Sequence, residues 1–393
     1  MGFMSEYISR RLSAADLESE LLQLISNYNK LRNTFAIVYV AAIGKPIPDI
    51  SLSQDDYYLI HDLVRDTESR KLDFYIETPG GNADAAEEIV RCLHNKFDEV
   101  SFIVSGAAKS AGTIMVLSGD KILMTETGSL GPIDAQVKIG RSVVSAYDYM
   151  EWTREKHEEA GKVGKLNPFD AVMIAQISPG ELESVNYALK YAEDLVVDWL
   201  VRYKFKNWKV TETRKTPVTD DMKSKRANEI AAELLNHAKW RIHGRSIKAS
   251  DLRAIGLRIT KVDEDEKLRD VVYRIQTVCR LLFSSTNTYK IFATEKEKIF
   301  KRAVAAGAVT KVPTKAIAEV EVVEFETKCP QCGKVHKLYA KLVDNPKIDK
   351  DFQKKGDIAY PKDNKLQCDC GFEIDLSGIR NEIETRLGKK LVL

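Results

Sequence analysis

Pro79-Gly80-Gly81 stands between an apolar run, FYIE, and a helical pattern, NADAAEEIV. Glycines that follow a strand let the backbone turn tightly and present N–H groups with no Cβ in the way, which suits an anion. Phosphate is one such anion, but neither G-x-G-x-x-G nor G-x-x-x-x-G-K-[ST] occurs in the chain, so a nucleotide is disfavoured. A transient oxyanion is another, and it requires a nucleophile. Ser110, in the small-residue turn SGAAKSAGT between FIV and IMVL, supplies one. Its small neighbours leave room for a substrate carbonyl, and the N–H groups of Ala111 and Gly81, with Gly80 opening the turn, would converge on one oxygen.

A second cluster is made of thiols. Cys329-Pro-Gln-Cys332-Gly and Cys368-Asp-Cys370-Gly are two knuckles from which four thiolates can share one tetrahedral zinc. The second knuckle is Cys-x-Cys, tighter than the usual spacing. His336 could replace a cysteine, but four thiolates are sufficient. They leave no open position, so the zinc is expected to be structural. Cys92 and Cys279 lie in apolar helical patterns and read as buried free thiols.

These residues need elements to position them. From residue 35, short apolar runs (FAIVYVAAI, KLDFYIE, VSFIV, KILM) alternate with helical patterns around 56–69 and 84–97. That texture predicts an α/β fold, a mostly parallel sheet covered by helices. Leu17, Leu21, Leu24, Ile25, Tyr28 and Leu31 form the stripe of an amphipathic helix in residues 1–34, capped by Ser13. Residues 146–206 read as a long helical region, 225–257 as two helices hinged at His243-Gly244 with Ser250 capping the second, and 266–304 as helical again. The catalytic domain is drawn at 35–305, a linker at 306–325 around AVTKVPTKAIA, and a small β-rich zinc ribbon with a terminal helix at 326–393.

Charge excludes some classes. Sixty Lys and Arg against 58 Asp and Glu leave +2, so no global field recruits nucleic acid or a membrane surface. No window approaches the apolar length of a membrane span and no signal peptide stands at the N-terminus, which predicts a soluble cytoplasmic protein. Six cysteines in so long a chain are not a disulfide framework.

TPGG followed, 29 residues after its second glycine, by the serine of KSAGT resembles the Clp protease and crotonase superfamily. GSLGPIDAQ is similar to the LGP[IV]DPQ motif of the serine dehydrogenase proteinase family, which is related to signal peptide peptidase A. WRIHGRSIKASDLRAIGL and FSSTNTYKI resemble two further segments of that family, so the likeness covers roughly residues 35–295. It implies a Clp/crotonase-like fold and a peptidase with Ser110 as nucleophile, Asp134 as orienting carboxylate and His243 as general base. His243 is the one histidine of six at a break between helices beside a glycine. A Ser-Lys dyad, as in signal peptide peptidase A, is the rival, with Lys156 or Lys162 as base; an esterase would use the same site. A different class is a catalytically silent oligomeric scaffold presenting its ribbon to a protein or nucleic-acid partner, nucleic acid not being favoured. Relatives imply a homo-oligomer, to which the N-terminal helix is a plausible contributor, and leave room for an ATPase or regulatory partner. Lys109 departs from the small or apolar residue usual before this serine.

Overall fold

FAIVYVA, KLDFYIE and EVSFIV form strands β1 (Phe35–Ala41), β2 (Lys71–Glu77) and β3 (Glu99–Val104) of a computed structural model, which describes residues 2–133, 136–139, 142–211, 213–240, 244–303, 321–329, 331–387 and 389–392. With β4 (Lys121–Met124), β5 (Thr260–Lys261), β6 (Thr288–Ala293) and β7 (Lys298–Arg302) they make one sheet, in the order β7-β6-β1-β2-β3-β4-β5. Strands β1 to β5 are parallel, β6 runs antiparallel to β1, and β7 antiparallel to β6. After their first residue β1, β2 and β3 are buried throughout, as strands covered on both faces must be.

Helices α1 (Ala14–Arg32), α2 (Gln54–Val64), α3 (Ala83–Lys96), α4 (Ala111–Leu117), α5 (Ala146–Val163), α6 (Pro179–Trp199), α7 (Asp220–Leu235) and α8 (Glu266–Ser285) accompany the sheet. Side chains of α1 and α8 pack on one face, against Val38, Val40 and Tyr75. Side chains of α2, α3, α4, α6 and α7 pack on the other, against Ile37, Phe74, Ile76 and Phe102. The Ser13 hydroxyl accepts from Asp16 N at 3.2 Å, and the Asp16 carboxylate accepts from Ser13 N at 2.9 Å, which closes the start of α1. Leu17, Leu21, Leu24, Ile25 and Tyr28 are buried and Leu31 is exposed, so the stripe of α1 is used within its own protomer.

Three readings of the sequence are corrected here. Residues 266–304 are helical only to Ser285; TYKIFA, rich in β-branched and aromatic residues, becomes the fully buried β6, and the chain returns as β7. Lys290, in the middle of β6, hid this strand. Its ammonium is wholly buried and donates to the Asp56 carboxylate at 2.6 Å and to Ser51 O at 2.7 Å. Ser250 caps nothing: it sits inside the helix Ala249–Ala254, whose start is closed by Asp251 accepting from Lys248 N at 2.9 Å. The long region from 146 is interrupted at Gly164, which is left-handed, and again before α6, where Ser178 accepts from Glu181 N ahead of Pro179.

The chain divides into two units, Met1–Ala303 and Val304–Leu393. In the second, β8 (Val322–Lys328) and β9 (Val335–Lys341) form an antiparallel hairpin that β10 (Ile358–Ala359) joins in parallel. A second ribbon pairs β11 (Lys365–Gln367) with β12 (Glu373–Asp375). Phe325, Leu338, Tyr360, Leu366 and Leu376 form its core. Of the linker drawn at 306–325, residues 306–320 fall outside the described residues, and Val322–Phe325 already belong to β8, so the linker ends earlier than drawn. Among the described residues no helix is long and apolar enough to cross a membrane.

Candidate active site and metal centre

β2 ends in Glu77, and the next residues pair sideways with the loop that leads to Ser110. Thr78 N donates to Ala107 O at 2.9 Å, and Lys109 N donates to Thr78 O at 3.0 Å. On the other side Leu52 N donates to Gly80 O at 2.8 Å and Asn82 N to Leu52 O at 2.9 Å. TPGG is therefore held as a strand extension between two neighbours. A Cβ on Gly80 would lie 2.7 Å from Ser110 Cβ, and one on Gly81 would lie 2.4 Å from Leu52 O, so only glycine permits either approach. Their φ values of +93° and +152° require it as well.

Ser110 is half-buried at the turn into α4, with φ 49° and ψ −120°. That region costs a non-glycine residue about 1–3 kcal/mol, and a serine on such a strand-to-helix turn has its hydroxyl thrust outward. A serine before a helix ordinarily caps it, but Ser110 makes no side-chain cap hydrogen bond. Gly80 N donates to Thr78 Oγ1 at 3.1 Å, whereas the N–H groups of Gly81 and Ala111 enter no backbone hydrogen bond among the described residues.

Two further segments are bound to this loop. Ala107-Ala108 pairs in parallel with Ser129-Leu130, and Leu130 exchanges hydrogen bonds of 3.0 and 2.9 Å with Ile247. Thr113 Oγ1 lies 2.9 Å from Ala108 O and 3.1 Å from Gly131 O, and accepts from Gly131 N at 3.0 Å. The Lys109 ammonium donates to Leu130 O at 3.0 Å, Arg245 O at 2.9 Å and Ser246 Oγ at 3.2 Å. Burial, helped by the charge of Lys248, pushes this lysine down to about 8. Lys248 Nζ in turn donates to the carbonyls of Glu126, Thr127 and Gly128. Ser110 thus shares one neighbourhood with 128–133 and 244–248, the segments that flank Asp134 and His243 in sequence. Asp134 and His243 themselves lie outside the described residues.

The two lysines named as alternative bases have acidic neighbours of their own. Lys156 pairs with Asp170 at 2.7 Å and Glu159 at 2.8 Å, which raises it above the ordinary lysine range. Lys162 is exposed, 3.8 Å from Glu158. Sequence reasoning missed the strut made by Lys109, noticed only as an unusual neighbour of Ser110, and the clamp made by Leu52. A lysine in a run of small residues was a signal of the first; a lone leucine in ISLSQ signals nothing.

Beneath the site, Glu77 is buried at the end of β2 and bonded to Arg280 of α8. Burial pushes its carboxyl up to about 7, against the pull of Arg280. Cys279 is buried, its thiol pushed up by burial, and Cys92 is half-buried.

In the second unit the four sulfurs of Cys329, Cys332, Cys368 and Cys370 lie within 4.8 Å of one another, with Cys329–Cys370 at 3.6 Å and Cys332–Cys368 at 3.5 Å. A tetrahedral zinc with Zn–S of about 2.3 Å sets sulfurs roughly 3.8 Å apart, so the donor set fits that ion. Cys329 O accepts from Gly333 N at 2.9 Å and Cys368 O from Gly371 N at 2.8 Å, so the tighter second knuckle folds as compactly as the first. His336 is buried with Nε2 3.2 Å from Cys368 Sγ, beside the four sulfurs.

Comparison with known proteins bears on the first unit. Residues 36–159 match the family described as ClpP-like SDH-type serine proteinase. An uncharacterized protein of Methanocaldococcus jannaschii is 28% identical over 127 residues, 31% of this chain and 44% of that protein. A second uncharacterized protein of the same organism is 30% identical over 95 residues, 24% of this chain and 32% of its own length. The match thus spans less than half the length of either curated relative. Among solved structures, a membrane-bound stomatin-specific protease aligns with a TM-score of 0.33 and 14% identity, over 57% of this chain and 79% of that one.

Proposed function

We propose, from the match of residues 36–159 to the ClpP-like SDH-type serine proteinase family, that the protein is a serine peptidase acting through Ser110. The observation that carries the reading is the backbone of Ser110, held in a strained turn with its hydroxyl kept from capping α4 and Gly80 pressed against its Cβ. Ser110 Oγ attacks the scissile carbonyl while the imidazole of His243 takes its proton, and Asp134 orients that ring. The tetrahedral oxyanion is met by the N–H groups of Gly81 and Ala111; Gly80, whose N–H is turned to Thr78, supplies clearance. Collapse breaks the C–N bond, the imidazolium returns the proton to the leaving amine, and water hydrolyses the acyl-enzyme by the same route. Histidine is favoured over lysine because carboxylates hold Lys156 protonated and Lys162 faces solvent.

The four cysteines fit a structural zinc that staples the second unit and takes no part in hydrolysis. Substrates are peptides or proteins. Assembly into a homo-oligomer would use a surface other than α1, and the exposed Phe169, Val172 and Tyr187 offer an apolar one. Six cysteines with no disulfide between them suit the reducing cytoplasm.

The test is labelling by a fluorophosphonate, read by intact mass on wild type, Ser110→Ala and His243→Ala. One adduct on wild type and none on either variant is the expected result. Adduct loss in Ser110→Ala alone would move the base elsewhere, and an unlabelled, folded wild type would favour the silent scaffold.

A further inference from the structure

Strands β2, β3 and β4 begin, at Lys71, Glu99 and Lys121, on the edge of the sheet away from Ser110. A groove of about 1670 Å³ opens there, lined by ten lysines and arginines and only three carboxylates among the described residues. Each carboxylate is already matched: Asp98 by Arg70 at 2.6 Å, Glu99 by Lys121 at 2.5 Å and Asp120 by Lys206 at 2.6 Å. Of the remaining cations, Arg226 pairs with Glu229 at 2.8 Å and donates to Ile255 O at 3.2 Å, and two others meet carbonyl oxygens. Lys204 Nζ donates to Asp120 O at 3.3 Å and Arg258 O at 3.4 Å, and Arg253 to Ile259 O at 2.8 Å. Lys71, Lys209 and Arg214 have no ion pair among the described residues. In a chain whose net charge is +2, this concentration is a local feature.

Two aromatic rings and a turn also line the groove. Phe205 and Trp208 stack tilted with centroids 5.5 Å apart, both half-buried and both in its lining. A turn closed by Thr211 N to Thr216 O at 2.9 Å and Val218 N to Lys209 O at 3.0 Å carries the exposed Lys209 and Arg214 at the rim. The volume exceeds the roughly 300–1000 Å³ of a typical small-molecule pocket, so the ligand it suits is an extended chain. Cations that track a backbone beside an aromatic face on which a base can stack are the combination that holds single strands.

We propose that this groove binds single-stranded nucleic acid, independently of any hydrolysis at Ser110. The test is fluorescence anisotropy of the full-length chain with a fluorescein-labelled oligothymidylate of about 15 nucleotides, titrated at several salt concentrations. Wild type should bind with a negative slope of log K against log salt. Lys209→Glu/Arg214→Glu should weaken binding at least tenfold and, by removing two phosphate contacts at about 0.7 each, flatten that slope by about 1.4. Trp208→Ala should weaken binding about tenfold and leave the slope alone. Circular dichroism checks that each variant is folded, and Lys209→Gln/Arg214→Gln replaces the charge-reversed pair if that one is not. Three results overturn the proposal: no salt-dependent binding by wild type; binding unchanged in the folded groove variants but lost in Lys337→Glu, which would place it on the second unit; or equal affinity for polyglutamate through the same residues, which would make the groove a site for acidic polypeptide.

Discussion

The serine loop and the cysteine cluster gather reactive atoms by opposite means. Around Ser110 the work is spread over many backbone bonds: Thr78 with Ala107 and Lys109, Leu52 with Gly80 and Asn82, Leu130 with Ile247, and the three acceptors of Lys109. Around Cys329 it falls on four sulfurs in a unit whose core is short strands and a handful of apolar side chains. The first arrangement is made by a large sheet before any ligand arrives; the second has the donor set of a metal ion, which would complete it. A site built from distributed contacts therefore tolerates loss of one contact better than a site built around one atom.

Metal removal tests the difference most severely. A chelator, or Cys332→Ser, is expected to unfold the second unit, since a structural zinc contributes on the order of 10 kcal/mol to a small domain, while the first unit's melting transition and its labelling at Ser110 stay in place. A single shared transition would break the contrast.

The first unit's own weak point is where backbone meets backbone. Gly81→Ala puts a Cβ 2.4 Å from Leu52 O at a φ of +152°, so the extension must shift, at an expected cost of about 2–4 kcal/mol in urea unfolding. Labelling of Ser110 should fall with it. A variant with wild-type stability would mean that the clamp on TPGG is slack.

The smallest expected effect is read through pH. Glu77 is raised to about 7 by burial, so the folded chain binds its proton more tightly than the unfolded chain does. Its contribution is complete below about 4.5 and is lost as pH rises through 7, a change of about 3 kcal/mol at most. Carboxylates held low by partners, such as Glu20 and Glu99, run the other way but are common to both proteins. The difference in stability between wild type and Glu77→Gln should therefore slope over that window; a flat difference would mean that Arg280 keeps Glu77 ionised throughout.

Legibility in the sequence followed the range of the contacts. The knuckles were plain because their geometry is set within a few residues, and β1 to β4 because parallel strands buried on both faces are apolar runs. Ser110 and Gly81 were singled out because a turn needs small residues wherever it occurs. β6 was taken for helix because it follows α8 after two residues and carries a lysine whose neutralising partner, Asp56, is 234 residues away. The strut from Lys109 to Arg245 spans 136 residues and the clamp from Leu52 is pure backbone, so neither has a local pattern. Asp134 and His243 rest on motif alone.

The sheet order has a consequence for how the chain is made. β1, an interior strand of it, lies between β2 and β6, and Val38 pairs with Ala293. During synthesis the apolar edge of β1 stays open until nearly the whole first unit has left the ribosome, when β6 arrives and seats Lys290 on Asp56. Pairing so distant in sequence makes closure slow and leaves the nascent chain prone to aggregate through that edge. A chain halted before residue 288 would display β1 as a bare edge, so the last two strands of the sheet decide whether the first ones survive.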